Sequence, residues 1–279
     1  MNNLNKKGGN KILTLYLPLA IFTIVTLFPY YWMFVTSVKT DADIYTTPLL
    51  YWPREFTWEN YKELFGYFDF LKYLKNSLLI ALGTTVLSLF VSTLAAYAFA
   101  RFQFKGRKVL MALFLSNNMF PTVLLMIPLY SIMRQLGLLY THVGMIIAYA
   151  TFTIPFSVWL IQGFIRDVPF ELEEAALVDG CTRKGAFVRI FLPVLTPCLL
   201  AAGVYMFMQA WNEYTLASMF TNPATRTIPV ALSTLIGQLG VDWGLLCAGG
   251  FITCIPVTIM FFFAQKRLVA GMTAGAVKG

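Results

Sequence analysis

Six long stretches of this sequence contain no Asp, Glu, Lys, Arg or His. A helix of about 20 apolar residues spans the hydrocarbon core of a bilayer, which is about 30 Å thick, because each residue adds about 1.5 Å. Only 12% of the 279 residues are charged and 58% are hydrophobic, whereas a soluble domain carries about 25% charged residues. We therefore predict an all-α integral membrane protein. Its six transmembrane helices are expected at about residues 12–36, 77–100, 109–133, 144–165, 191–211 and 244–264.

Lysine and arginine orient these spans, because they are retained on the cytoplasmic side of a membrane. With the N-terminus inside, 14 of the 21 Lys and Arg residues fall in cytoplasmic segments. Topology then explains most of the net charge of +8, so nucleic acid is not an expected partner. The prediction is a cytoplasmic N-terminus at 1–11, a six-helix transmembrane domain at 12–265 and a cytoplasmic tail at 266–279. The apolar stretch between Arg226 and Asp242 is too short to span, and we expect an extracytoplasmic loop there.

The predicted spans contain almost no ionisable side chains, and only Glu213 lies near a span end. Ion-coupled transporters usually keep carboxylates or histidines at mid-membrane, so a secondary transporter is disfavoured. The cysteines lack a zinc-type spacing and His142 is the single histidine, so no metal site is predicted. The sequence contains neither H-E-x-x-H nor G-x-S-x-G. No catalytic residue is therefore expected.

One segment comes close to a phosphate-binding loop. Gly180 and Gly185 have the separation of the glycines in G-x-x-x-x-G-K-[ST], but Ala186 and Phe187 stand at the positions of the lysine and the hydroxyl. Without that lysine the β- and γ-phosphates lose their cation. The chain itself is therefore not expected to bind ATP or any other cofactor, nor to be an enzyme.

The polar loop at 166–190, between the fourth and fifth predicted spans, has the pattern of two short helices with a bend. Asp167 and Pro169 suit a helix start, and glutamates follow where negative charge complements the helix dipole. Gly180 suits a left-handed C-terminal cap, Thr182 suits the N-cap of a second helix, and Pro193 is expected to begin the fifth span. An apolar face with small residues is formed by Leu172, Ala175, Ala176 and Val178. On these signals alone, an amphipathic loop lying on the membrane interface is an equally good interpretation.

The residue identities in this loop distinguish a specific motif from an ordinary amphipathic loop. The series Glu174-Ala175-Ala176, Asp179-Gly180 and then Phe187, Ile190, Leu192 and Pro193 resembles the EAA motif of ABC importer permeases, in which E-A-A-x-x-x-G is followed at a fixed interval by I-x-L-P. It lies between the fourth and fifth of six spans, as in that family. The resemblance implies a cytoplasmic coupling helix that docks on a separate ATPase. The implied coupling residues are Glu174, Ala175, Ala176, Asp179, Gly180 and Phe187.

The resemblance continues along the chain. Segments 96–101, 127–130 and 211–213 are similar to carbohydrate importers, and the tail at 271–279 resembles that of the smaller permease subunit in maltose-type transporters. The resemblance implies that the tail inserts between the ATPase subunits, whereas a disordered, Gly-rich terminus is the alternative. The implied ATPase-contacting residues are Gly271, Met272, Thr273, Gly275 and Lys278.

The family resemblance also implies partners and a mechanism. In that family two homologous permeases form a heterodimer on two ATP-binding subunits, and an extracytoplasmic solute-binding protein delivers the sugar. ATP and Mg are then expected on the partner ATPase, and the lipid bilayer surrounds the permeases. Closure of the ATPase would move the coupling helices as rigid elements in a two-state change. We expect Gly180→Asp or Glu174→Lys to uncouple transport while the protein stays in the membrane, and residues 217–242 to contact the binding protein.

Polar and aromatic residues in the third span and at the end of the fifth are candidates for the sugar path. Sugar C–H faces stack on aromatic rings, and sugar hydroxyls need hydrogen-bond partners. Intramembrane amides also hold helices together, and in the maltose-type family the partner subunit makes most sugar contacts, so a structural or gating role stays open. The candidates are Asn117, Asn118, Gln209, Trp211, Asn212 and Glu213.

The expected function is therefore the permease subunit of a carbohydrate ABC importer in the cytoplasmic membrane. An importer for a non-sugar solute is the alternative, because the EAA loop does not distinguish solutes; the tail and segment 127–130 favour sugars. An intramembrane enzyme lacks catalytic residues in mutual reach. A membrane scaffold without transport differs from a permease in that it would not co-purify with an ATPase.

Overall fold

The computed structural model describes residues 12–117, 119–238 and 240–276, and the regular structure of this part is almost entirely helical. In chain order the elements are a π-helical turn at Ile12–Tyr16, α1 (Leu17–Ser37), α2 (Asp41–Ile44), α3 (Glu59–Gly66), α4 (Phe70–Arg101), α5 (Arg107–Asn117), α6 (Thr122–Gln135), α7 (His142–Asp167), α8 (Glu171–Val178), α9 (Arg183–Ala186), a second π-helical turn at Phe187–Phe191, α10 (Leu192–Val194), α11 (Thr196–Trp211), α12 (Thr215–Phe220), α13 (Ile228–Ser233), an antiparallel hairpin of β1 (Ile236–Gly237) and β2 (Gly240–Val241), and α14 (Trp243–Ala276).

Several of these helices are long and apolar enough to cross a membrane. Four meet both conditions in the described residues, and the number rises to six if each of two bent helix pairs forms one span. The prediction of a mostly helical chain with several candidate membrane spans is confirmed, although the structure adds a short β hairpin. The four helices are Thr14–Ser37, Phe70–Arg101, His142–Asp167 and Trp243–Gln265.

The third and fifth predicted spans are each divided into two helices, which corrects the expectation of continuous helices at 109–133 and 191–211. The axes of α5 and α6 are bent by 101°, and the segment Arg183–Val194 meets α11 at 73°. Pro121 directly precedes α6, and Pro197 lies in the first turn of α11. Proline lacks a backbone N–H and fits the first turn of a helix better than its interior. These prolines therefore favour a new helix start at both bends.

One unit of the chain comprises residues 1–70 and 232–255. Within it the ring of Phe34 in α1 packs on Phe251 in α14, with 5.2 Å between centroids. The Ser37 and Tyr61 hydroxyls lie 2.8 Å apart, and the Asn60 amide donates to the carbonyls of Ser37 and Lys39, both at 3.0 Å. These bonds fasten α3 to the end of α1, so the long loop after the first span has a defined structure.

The other unit comprises residues 71–231 and 256–279, and it contains the candidate site. In it α7 packs on α11 and α5, and α12 packs on α6. The buried hydroxyls of Ser88 in α4 and Thr153 in α7 lie 2.8 Å apart and join these two helices. Val168 and Phe187, both from the loop at 166–190, pack against the core of this unit. That core is formed by Ala96, Phe99, Val158, Ile161, Ile165, Phe191, Leu195, Cys198, Ala202 and Met206.

Among the described residues between Arg226 and Asp242, the regular structure consists of the short α13 and the hairpin, as expected for a stretch too short to span. Its beginning is tied to the start of the α4 span. The Asn76 amide donates to the carbonyls of Ala224 and Arg226, both at 3.0 Å, and the Ile228 amide donates to the Ser77 hydroxyl at 2.8 Å. These bonds connect the segment to the start of α4 and give the buried Ile228 amide a partner.

Candidate functional site

Helix α8 occupies the loop that carries the EAA-like residues. Its first turn contains Glu171, Glu173 and Glu174, whose negative charge complements the helix dipole as predicted. The expected start at Asp167 is wrong, because Asp167 is the last residue of α7. The N-cap position is Phe170, which makes no side-chain capping bond.

The end of α8 is determined by Gly180. Its φ of +85° lies in the left-handed region, where residues with a side chain are strained. The Gly180 amide donates to the Leu177 carbonyl at 3.1 Å, and the Cys181 amide donates to the Ala176 carbonyl at 2.9 Å. This pair of bonds defines a Schellman motif, which confirms the predicted left-handed cap. Thr182 then caps α9, because its hydroxyl accepts from the Gly185 amide at 3.1 Å, also as predicted.

The two faces of α8 differ in exposure. Glu173 and Ala176 are buried against the rest of the chain. Leu172, Ala175 and Val178 follow at intervals of three residues and are exposed, Val178 to 86%. The apolar face expected from Leu172, Ala175, Ala176 and Val178 is therefore split, with only Ala176 turned inward. The exposed part leaves small and apolar side chains available to a partner.

The buried face of α8 is held by an ion pair that the sequence interpretation missed. The Arg101 Nε, at the end of α4, lies 2.7 Å from the Glu173 Oε1, and both side chains are only about a tenth exposed. The Tyr97 hydroxyl donates to the Glu173 Oε2 at 2.7 Å. The available signal was the resemblance of residues 96–101 to importer sequences, but it did not indicate which loop residue Arg101 contacts.

The remaining coupling candidates lie on both sides of the loop. Glu174, Asp179 and Gly180 are exposed. Phe187 is half-buried, and its ring packs edge-on against Tyr97 with 4.9 Å between centroids. Its side chain therefore contacts the core of this chain rather than standing free for a partner.

The structure brings together part of the predicted sugar path around a cavity of about 220 Å³. Asn117, Gln209 and Glu213 line this cavity. Trp211 does not; it is 2% exposed and its ring stacks on Phe207 at 5.5 Å between centroids. Asn212 also lies elsewhere, with its amide bonded to the Met208 carbonyl at 2.9 Å. Asn118 falls outside the described residues.

Aromatic rings, which the sequence interpretation missed, form much of the cavity wall. One of these rings, Tyr205, lies one helical turn before Gln209 on the same face of α11. The Gln209 amide donates to the Tyr205 hydroxyl at 3.0 Å. Asn117 donates to the Thr151 carbonyl at 3.2 Å. The ring-bearing residues are Phe120, Tyr149, Phe152 and Tyr205. Rings beside amide groups are suited to a polyhydroxylated ligand with apolar C–H faces.

Glu213 has a structural role at the edge of this cavity. Its carboxylate oxygens accept from the backbone amides of Leu216 and Ala217, at 2.7 and 3.0 Å. These are the otherwise unpaired amides of the first turn of α12, so Glu213 caps that helix.

The predicted ATPase-contacting tail lies at the end of α14. The backbone of Gly271, Met272, Thr273 and Gly275 continues this helix, which ends at Ala276. Lys278 falls outside the described residues.

Comparison with known proteins places this architecture in a family. Residues 88–273, which include α8, the residues that line the cavity and most of α14, match the family model described as binding-protein-dependent transport system inner membrane component. The chain belongs to this family.

Relatives with assigned transport systems match over almost the whole chain. The sulfoquinovosyl glycerol transport system permease protein of Agrobacterium fabrum is 36% identical over 95% of this chain and 93% of its own. The trehalose transport system permease protein of Mycobacterium tuberculosis is 37% identical over 91% and 93%. The trehalose/maltose transport system permease protein of Thermococcus litoralis is 35% identical over 93% and 94%.

Solved structures share the fold. A chain of a bacterial ABC transporter involved in the import of the acidic polysaccharide alginate superposes with a TM-score of 0.78 at 23% identity, covering 95% of this chain and 98% of the other. A chain of a bacterial alginate ABC transporter, in complex with a periplasmic protein that holds an alginate pentasaccharide, gives 0.67 at 18% identity over 94% and 96%. The likeness at these identities shows a common fold.

Proposed function

We propose that this chain is the permease subunit of an ABC importer for a sugar or oligosaccharide. It crosses the cytoplasmic membrane six times, with each bent helix pair forming one span and with both termini cytoplasmic. The observation that carries the proposal is α8, an exposed helix that holds the EAA-like residues, ends in a glycine cap and is anchored to α4 by a buried ion pair. Together with a homologous permease, the chain forms the translocation path.

Helix α8 serves as the coupling helix that docks on the ATPase. Its exposed Leu172, Ala175 and Val178 supply a small apolar surface that fits a protein cleft, and Glu174 at the rim supplies a charged contact. Two ATP-binding subunits receive the α8 helices of the two permeases. ATP and Mg²⁺ bind to those subunits, because Ala186 and Phe187 of this chain replace the lysine and hydroxyl of a phosphate-binding loop.

The cavity contributes to the translocation path. Its aromatic walls stack on sugar C–H faces, and Asn117 and Gln209 exchange hydrogen bonds with hydroxyls. Glu213 shapes the path by capping α12, since its carboxylate accepts two backbone amides of that helix. Segment 217–242 faces an extracytoplasmic solute-binding protein, and the tail at 271–279 contacts the ATPase.

The names of the similar permeases support a sugar as the transported solute. The three relatives above are named for sulfoquinovosyl glycerol, trehalose and maltose transport, and they match over more than nine-tenths of the chain. A non-sugar solute is the competing outcome. It is tested by a binding assay on the cognate solute-binding protein with trehalose, maltose, phosphate and amino acids as probes. Retention of a sugar supports the proposal, and retention of only phosphate or an amino acid contradicts it.

Docking is tested by co-purification of the chain with its ATPase from membranes. Wild-type protein is expected to retain an ATPase subunit, and Glu174→Lys is expected to retain much less while it still accumulates in the membrane. Deletion of residues 272–279 tests the tail in the same assay. An unchanged yield of ATPase with Glu174→Lys would contradict docking through α8, and an unchanged yield after the deletion would remove the tail from the contact.

A further inference from the structure

Arg101 joins three parts of the chain at the buried side of α8. It belongs to the last turn of α4, its Nε contacts Glu173 of α8 at 2.7 Å, and its Nη2 donates to the Val168 carbonyl, just after α7, at 2.9 Å. Its guanidinium also lies 5.5 Å from the ring centroid of Phe170 and 5.3 Å from that of Phe191. One charged side chain therefore connects α8 directly to the end of α4.

Both oxygens of the Glu173 carboxylate are bound to α4 of the same chain. One oxygen accepts from Arg101 and the other from the Tyr97 hydroxyl, at 2.7 Å in each case. Tyr97 is itself held in position by Phe187 and Phe191, whose ring centroids lie 4.9 and 5.2 Å away. Arg101 and Tyr97 are one helical turn apart, so both bonds attach α8 to the same face of α4.

The buried Arg101–Glu173 ion pair is better explained as a device that fixes the placement of α8 on α4 than as a source of folding stability. A buried ion pair often stabilises a fold no more than well-packed apolar side chains of the same volume, whereas it fixes one relative placement of the groups that it joins. The two hydrogen bonds from Arg101 and Tyr97 to Glu173 hold α8 at one register on α4. A flexible apolar contact would allow the helix to slide without moving its neighbour.

We propose that Glu173 is a positioning residue that locks α8 to the end of α4 through Arg101 and Tyr97, so that displacement of α8 by the ATPase is passed on to the membrane-spanning helix. This inference rests on the proposed function. It assigns to Glu173, which is buried, a role separate from that of the neighbouring Glu174, which is exposed. Glu174 contacts the ATPase, and Glu173 transmits the movement.

Three glutamates in one helical turn provide a matched set of variants. Glu171 and Glu174 are exposed, whereas Glu173 is buried. A Glu→Gln change therefore removes the same charge at two exposed positions and at one buried position. The experiment is hydrogen–deuterium exchange with mass spectrometry on the complete transporter complex in lipid nanodiscs, with and without ATP plus vanadate. Peptides that cover α8 and residues 96–101 are compared.

In the wild-type complex, ATP plus vanadate is expected to change exchange in both α8 and 96–101. Glu173→Gln should keep the change in α8 and lose the change at 96–101, with ATPase association unaltered. Glu171→Gln should match the wild type at both places, and Glu174→Gln should weaken ATPase association itself. Persistence of the change at 96–101 in Glu173→Gln would overturn the inference, as would loss of ATPase association in that variant.

Tyr97→Phe provides the deciding variant if Glu173→Gln fails to accumulate, because it removes one hydrogen bond and leaves the ion pair. A reduced ATP-dependent change at 96–101 supports the inference, and a change equal to that of the wild type contradicts it. Failure of the proposed function has a different signature: the wild-type chain would carry no ATPase, and ATP plus vanadate would change neither α8 nor 96–101.

Discussion

At the scale of single residues, Gly180 shows how a sequence pattern dictates local geometry. A glycine one position beyond the C-cap residue of a helix predicts a left-handed cap, and the structure places Gly180, which follows the C-cap residue Asp179, at a φ of +85°. A β-carbon added there meets no atom within 4 Å. The requirement for glycine therefore comes from the backbone conformation and not from crowding.

This distinction leads to a prediction for Gly180 variants. Gly180→Val should destabilise the turn by about 1–2 kcal/mol, because a β-branched residue is strained in the left-handed region, and ATP-driven uptake should fall. Gly180→Asn should retain most of the uptake, because Asn tolerates that region. Transport assays and thermal unfolding of both variants check this. Equal behaviour of Val and Asn would indicate that the bend has no role.

The Arg101–Glu173 pair leads to a second prediction at this scale. Arg101→Met leaves the Glu173 carboxylate buried without its cation, which should cost about 3–5 kcal/mol. Adding Glu173→Met should recover most of that loss, since two apolar side chains replace the pair. Thermal unfolding of the purified complex measures both variants. A double variant as unstable as Arg101→Met alone would contradict a buried ion pair.

The cavity gives a third prediction, with a control at the residue that follows the same helix. Gln209→Ala should raise the KM of sugar uptake about fivefold, the equivalent of roughly 1 kcal/mol for one lost hydrogen bond. Asn212→Ala, at an exposed position outside the cavity, should leave KM unchanged. Uptake kinetics of the two variants test the assignment. A larger effect at Asn212 than at Gln209 would contradict it.

The limits of sequence reasoning at this scale are visible in two neighbouring residues. The motif singles out Glu174, but it is silent on Glu173. The partner of Glu173, Arg101, lies 72 residues earlier in the chain. Only the packing of α4 against the loop determines which glutamate is buried, and no local pattern encodes that packing. The capping of α12 by Glu213 was not predicted either.

At the scale of helices, hydropathy predicted the elements but not their continuity. The apolar runs at 109–133 and 191–211 contain no charge, and a window average treats each as one helix. The structure divides both, with bends of 101° and 73°. Pro121 and Pro197 were visible in the sequence, yet a proline inside an apolar run is compatible with a kink, a break or a continuous helix. The tertiary packing decides among these.

The turn between α8 and α9 gives a prediction at the scale of helices. Thr182 caps α9 through its hydroxyl, which accepts from Gly185 at 3.1 Å. Thr182→Ala should destabilise this turn by about 1 kcal/mol, while Thr182→Ser should retain the cap. Exchange of the backbone amides at 183–186 reports the difference. Equal protection in the two variants would mean that the cap does not hold α9.

At the scale of the whole molecule, the class of protein followed from composition and from one loop. The charge-free stretches predicted a membrane protein, the EAA-like spacing predicted an ABC importer permease, and the match over residues 88–273 shows the family. The cavity was only partly predictable. Its wall combines residues from Asn117 to Leu216, and such a combination depends on how α5, α7 and α11 pack together.

The central claim is that α8 docks on an ATPase, and site-specific photocrosslinking tests it most directly. A benzophenone amino acid at Val178, which is 86% exposed on α8, is compared with the same probe at Val109, which is 63% exposed on α5. In intact membranes the Val178 probe should crosslink to a subunit that mass spectrometry identifies as an ATPase, and the Val109 probe should not. Crosslinking of the Val178 probe only to lipid would mean that α8 lies on the membrane interface, and would contradict the account.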